Sequence, residues 1–212
     1  MGIFKAYDIR GLVPTELDAG LARKIGHAFA RLLSAKRLFV GQDARTHSEE
    51  LANAVSEGMR DAGADVVRLG LASTPMTYFA IGSNECDGGL CVTASHNPGQ
   101  YNGMKLCRSG ARPMSKDTGI GELERLCQAP YPGRSGRAGK EERADLLAAY
   151  AERIAGFARI ERPITVAIDA ANGMGGHTLP AILERMPQVR THRLYFELDG
   201  TFPNHEANPL KE

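Results

Sequence analysis

The stretch from Gly89 to Lys105 constrains this chain more than any other. Gly89-Leu90-Cys91-Val92-Thr93 is a short apolar run and reads as a buried strand. It runs into Ala94-Ser95-His96-Asn97-Pro98-Gly99, where the Pro98 ring fixes its own φ and pushes Asn97 away from helix. Gly99 and Gly103 are expected to allow sharp turns. Gly103-Met104-Lys105-Leu106-Cys107 then returns the chain and is expected to bring Lys105 near Ser95. Ser95 is therefore read as a hydroxyl held out on a stiff loop at the end of a strand.

A lone serine is a weak nucleophile and needs activation. Ser95 and His96 are neighbours, and in an extended segment neighbouring side chains point to opposite sides, which speaks against a hydrolase triad. No G-x-S-x-G elbow surrounds Ser95, and Pro98 keeps the loop from running straight into a helix. Lys105 favours phosphoryl transfer, where positioning and charge neutralisation carry most of the catalysis. The bland alternative is a strand-turn-strand in which Ser95 and Asn97 only satisfy loop amides.

The 212 residues suffice for one large domain or two modest ones. The formal net charge of +1 gives no bias toward nucleic acid or a membrane surface. No apolar stretch approaches the roughly 20 residues of a membrane span, and the N-terminus lacks a signal-peptide pattern, so a cytoplasmic protein is expected. Cys86, Cys91, Cys107 and Cys127 form no C-x-x-C pair and read as reduced thiols.

Apolar periodicity places helices after Thr15, read as an N-cap, and after Ser48, read as the cap of the next one. Thr74-Pro75 opens a third, and Ile120, Leu123 and Leu126 mark a short fourth. Strands are expected at Leu38–Val40 and Asp65–Gly70. Ala129–Gly139 has no apolar period and reads as a linker, followed by a helix from about Glu141 to Phe157. Ile164–Asp169 reads as a buried strand, a helix starts near Gly176, and Val189–Phe196 is the last strand. The loop after Asp169 invites a dinucleotide reading, but its glycine spacing is not G-x-G-x-x-G, and a βα turn accounts for it better. His177 reads as a surface residue at a helix start. The alternation of strands and helices predicts an α/β class with mixed, mostly parallel sheets sandwiched by helices.

Four stretches, taken together, resemble the α-D-phosphohexomutase family. They are Phe4-Lys5-Ala6-Tyr7-Asp8-Ile9-Arg10-Gly11, the serine loop through Lys105, Asp169–Gly176, and Gly200-Thr201-Phe202-Pro203-Asn204. The Tyr7–Gly11 and Thr93–Ser95 wording is similar to the phosphomannomutase branch. The resemblance implies two consecutive domains of that family: residues 1–139 with the phosphoserine loop, a linker helix at 140–161, and 162–212 as an incomplete second domain. It implies phosphoryl transfer through a phosphoserine at Ser95, with His96 and Lys105 as catalytic partners and Tyr7 and Arg10 lining the substrate cleft. Asp43 and Arg45 match a family loop in which Gln42 stands where an arginine is usual. Substrates are expected to be mannose or glucose 1- and 6-phosphate with a bisphosphate intermediate, and Mg2+ is expected to meet Ser95 through its phosphate. The family's aspartate-rich metal loop is not found: no Asp-x-Asp pair occurs. The chain is accordingly read as an N-terminal portion of a phosphomannomutase, inactive alone, with a phosphoglucomutase of the same family or a non-catalytic sugar-phosphate-binding module as the alternatives. No signal for an oligomeric state is present.

Overall fold

The computed structural model describes residues 2–134 and 136–208. Seven strands make one sheet: β1 (Ile9–Leu12), β2 (Arg37–Gln42), β3 (Asp65–Leu71), β4 (Gly88–Val92), β5 (Tyr101–Arg108), the short β6 (Arg112–Pro113) and β7 (Glu141–Arg143). Their order is β1-β5-β4-β2-β3-β7, with β6 paired to β5. The β4-β2-β3-β7 part is parallel, and β1, β5 and β6 add antiparallel partners. A second sheet pairs β8 (Ile164–Asp169) with β9 (Val189–Leu194) in parallel. The helices are α1 (Ala19–Leu33), α2 (Ser48–Asp61), α3 (Thr74–Ser83), α4 (Gly121–Gln128), α5 (Leu147–Ala155) and α6 (Gly175–Leu183).

The period-2 alternation of the strands builds two apolar layers. Leu38, Val40, Val66, Leu90, Val92, Met104 and Leu106 pack against α1, α2 and α4. Phe39, Val67, Leu69 and Cys107 face the other way, onto α3, α5 and α6 through Met76, Ile81, Tyr150 and Ile182. All four cysteines are free, and burial raises the Cys91 and Cys127 thiols to about 12, so both stay protonated and inert at neutral pH.

Several element boundaries differ from the sequence reading, each for a local reason. α1 is capped by Asp18, whose carboxylate accepts from the Leu21 N–H at 2.7 Å, and not by Thr15. Ser48 is the first residue of α2 and not its cap, because its hydroxyl donates to Asp43. Gly103 sits within β5, where a Cβ would lie 1.9 Å from the Ile9 carbonyl oxygen; it serves close strand approach and not a turn. The helix expected from Glu141 starts at Leu147, because Glu141–Arg143 pairs with β3 as an edge strand. β8 is only half buried, since its two-stranded sheet is covered on one face and exposes Thr165, Ala167 and Asp169 on the other.

α1 and α2 cross closely through Gly26 and Gly58. A Cβ on Gly26 would meet the Val55 carbonyl oxygen at 2.0 Å, and one on Gly58 the Arg23 oxygen at 1.9 Å. Alanine improves intrinsic helix propensity by about 1 kcal/mol, but here it must push rigid backbones apart. Gly26→Ala is expected to lose about 3 kcal/mol net, read as a fall in the urea midpoint with unchanged m.

Candidate functional site

The serine loop begins where β4 ends. The Asp43 N–H donates to the Val92 carbonyl at 3.0 Å and the Thr93 N–H to the Gly103 carbonyl at 2.9 Å, so the loop leaves the sheet between two bonded neighbours. Ser95 itself makes the turn: its φ is +58°, in the left-handed region that costs a non-glycine residue about 1–2 kcal/mol. The Thr93 hydroxyl accepts the Ser95 N–H at 3.0 Å and offsets part of that cost. Asn97 braces the loop through its side-chain amide, which donates to the Ala94 carbonyl at 2.7 Å. Ser95 and His96 both face solvent.

The left-handed turn corrects the expectation that Ser95 and His96 diverge. Alternation holds only for extended backbone, and the twist at Ser95 brings its Oγ to 3.3 Å from His96 Nδ1.

Arg45 is the piece that sequence reasoning left without a role. Its side chain is almost wholly buried inside the loop. Nη1 donates to the carbonyls of Pro98 at 2.8 Å and Tyr101 at 3.1 Å; Nη2 donates to those of Ser95 at 2.9 Å and Asn97 at 2.6 Å. Nε donates to Asp43 Oδ2 at 3.2 Å, so all five N–H donors of the guanidinium are used. Burial lowers the Arg45 pKa and Asp43 opposes that shift, keeping the cation. Asp43 also accepts from the Arg45 N–H and the Ser48 hydroxyl, and the buried Asn102 amide donates to that hydroxyl at 2.9 Å. The G-x-D-x-R wording of this loop was the available signal; the four carbonyl acceptors come from distant backbone and left none.

Beside the loop lies a cavity of about 450 Å³, lined by Ser95, His96, Arg45, the Ser73-Thr74-Pro75 start of α3, and Ala170, Ala171, Gly173, Met174 and Phe202 from the far side. Ser73 caps α3 by accepting from the Met76 N–H, so the positive end of that helix opens toward the cavity. Across it, Ala171 and Asn172 are both left-handed and lead to the start of α6. The turn after Asp199 packs directly on the first sheet's loops: a Cβ on Gly200 would meet Arg45 Cα at 2.5 Å, and the Phe202 ring centre lies 5.0 Å from the Arg45 guanidinium carbon.

The other expected site residues are placed by the sheet and the N-terminal segment. Lys105 pairs in register with Cys91, four residues before Ser95, and its Nζ lies 3.6 Å from Asp8 Oδ2. Arg10 pairs with Gly103, which puts its side chain on the same sheet face as Lys105. Tyr7 is 77% exposed. None of Tyr7, Arg10 and Lys105 lines the 450 Å³ cavity.

The segment after Phe202 is held by a histidine bridge. His205 Nε2 lies 3.1 Å from Asp169 Oδ2 and Nδ1 2.8 Å from the Glu206 carbonyl oxygen. Both partners only accept, so both bonds form only with imidazolium. The Glu206 carbonyl and then Asp169 raise the His205 pKa. The contribution is thus fully present below the unfolded value near 6.5 and is lost as pH rises through the folded value. An NMR titration is expected to give His205 a higher pKa in this chain than in its Asp169→Asn variant.

The family model described as phosphoglucomutase/phosphomannomutase, alpha/beta/alpha domain I, matches residues 1–130, and its domain II model matches residues 148–212. A phosphomannomutase of Escherichia coli is 40% identical over 98% of this chain, which covers 48% of that protein. A protein named phosphohexose mutases from Xanthomonas campestris pv. campestris is 38% identical over 98% of this chain and 46% of its own length. A crystal structure of a phosphoglucomutase/phosphomannomutase family protein from Burkholderia thailandensis superposes with a TM-score of 0.86 at 36% identity, over 96% of this chain and 46% of that one. The chain spans about half the length of the relatives it matches.

Proposed function

Because this chain belongs to the phosphoglucomutase/phosphomannomutase family, we propose that it is the serine-bearing portion of a phosphomannomutase that interconverts mannose 6-phosphate and mannose 1-phosphate. The observation that carries this reading is the Ser95 hydroxyl, turned out by its left-handed backbone and set 3.3 Å from His96 Nδ1. The division proposed is a first domain at 1–139, a linker helix at 140–161 and a second domain at 162–212; family models matched at 1–130 and 148–212 support the presence of two domains, the second beginning earlier, at 148.

In the proposed cycle, phosphate on Ser95 passes to a free hydroxyl of the hexose phosphate. The Oγ–P bond breaks, a new sugar O–P bond forms, and the sugar proton returns to Ser95 Oγ by way of His96. The bisphosphate turns round in the cleft. Ser95 Oγ then attacks the other phosphate while His96 Nδ1 takes the Oγ proton; the second sugar O–P bond breaks, and His96 passes that proton to the leaving sugar oxygen, which becomes the free hydroxyl. The positive end of the α3 dipole, at Thr74, opens toward the charge that develops. Lys105 is assigned to the reacting oxygens, as a fixed cation or a proton-transfer group, and Arg10, on the same sheet face, and Tyr7 are assigned to the substrate.

Among the described residues no three His, Cys, Asp or Glu side chains converge as a metal-binding group. These residues do not make a magnesium site by themselves; Ser95, through its phosphate, is the group assigned to face the ion. No described helix is long and apolar enough to cross a membrane, and the cytoplasm is the proposed compartment.

Phosphopeptide mapping of the complete enzyme after incubation with glucose 1,6-bisphosphate tests the reading. Phosphate is expected on Ser95. Phosphate on a different residue, in a preparation that turns over mannose 1-phosphate, overturns it; faster turnover of glucose 1-phosphate replaces mannose with glucose.

A further inference from the structure

Among the described residues, charged side chains at least nine-tenths buried come with counter-charges, with one exception. Asp43 and Arg45 pair with each other, and Asp61 pairs with Arg23 and Arg134. Arg68, in β3, is only 8% exposed. Among the described residues no carboxylate oxygen lies within 4.0 Å of it. Its guanidinium donates to two neutral amide oxygens, Asn53 Oδ1 at 2.8 Å and Gln42 Oε1 at 2.9 Å, and its Nε is buried with no partner. Three of its five N–H donors are thus unused. A buried cation without a counter-ion is among the costlier features a fold retains.

The surroundings sharpen the anomaly. The β3–β7 register puts Arg143 directly beside Arg68, and like charges on paired positions repel. Both arginines, with His177 at the start of α6, line a cavity of about 400 Å³ that shares no lining residue with the Ser95 cavity. Glu49 and Asp145 also line it. Asp145 is engaged with the Leu147 N–H at 3.0 Å, and neither carboxylate reaches Arg68. Burial lowers the Arg68 pKa, Glu141 raises it, Arg143 lowers it further, and Glu49 raises it from longer range.

We propose that this cavity, at the seam between the two sheets, binds a small oxyanion, a phosphate or carboxylate group, through Arg68 and Arg143. A guanidinium fixed by two amides keeps one further N–H on each of Nη1 and Nη2 with little left to order, which suits such a ligand. The site is separate from Ser95 and does not depend on the reaction assigned there.

The test is a titration of this chain with sodium phosphate, and in parallel with sodium acetate, against sodium chloride at matched ionic strength. It is followed by NMR at the arginine Nε–Hε groups. Saturating shifts of the Arg68 and Arg143 signals are expected with at least one oxyanion, and the stronger of the two names the ligand class. They are expected to persist in Ser95→Ala and to weaken about tenfold in Arg143→Gln, an exposed position whose replacement leaves the core intact. Shifts confined to the serine loop, or matched by chloride, overturn the proposal.

Discussion

Replacing Ser95 by alanine in the complete enzyme is expected to lower kcat roughly a thousandfold or more, with the fold and its melting temperature nearly unchanged. Alanine has no oxygen to carry the phosphate, and nothing else within the loop offers a hydroxyl at the same place: Thr93 is buried and its Oγ1 is already bonded to the Ser95 N–H. The small effect on stability follows from exposure. Ser95 faces solvent and its Oγ touches only His96, so the substitution removes no buried contact. His96→Gln is expected to cost less, on the order of a hundredfold, because it removes proton transfer but leaves the phosphate acceptor. Equal turnover of Ser95→Ala and the unaltered enzyme would remove Ser95 from the chemistry.

Arg45→Met is expected to be the most damaging single replacement in the loop, at about 3–5 kcal/mol of stability. It leaves Asp43 as a buried charge without its partner and strips donors from four backbone carbonyls at once. With a total stability of about 5–15 kcal/mol for a folded domain, that loss is large. Arg45→Lys separates charge from geometry. An ammonium keeps the ion pair with Asp43 but cannot reach four diverging carbonyls, since it has three donors on one point. Arg45→Lys is expected to recover most of the stability, read by urea unfolding, while Ser95 phosphorylation stays slow. Full recovery of both would mean that charge alone holds the loop.

What the sequence made legible follows from how local each signal is. The strands around the serine loop were visible because each is a short apolar run, and β8 could be bounded to the residue. Its exposure could not, because burial depends on how many strands flank it. Pro98 and Asn97 marked a rigid turn, but the residue that takes the left-handed conformation is Ser95, a type that does not advertise it as glycine would. Lys105 illustrates the same limit. Its strand was placed correctly, yet the antiparallel register sets it opposite Cys91 and beside Asp8, and register is a property of the pair. Arg45 and Arg68 were hardest of all, since a buried arginine looks like a surface one until its partners are known.

The packing of Phe202 and Gly200 on Arg45 has a mechanical consequence. One guanidinium is gripped on one side by the carbonyls that shape the serine loop and covered on the other by a ring from across the cleft. Any hinge motion that carries the Asp199–Phe202 turn away also uncovers the clamp and lets water compete for its bonds. The loop is therefore expected to be stiffest with that turn packed on it and slackest with it away, so that in the proposed cycle the opening in which a bisphosphate turns round would also be the moment when Ser95 is least firmly aimed.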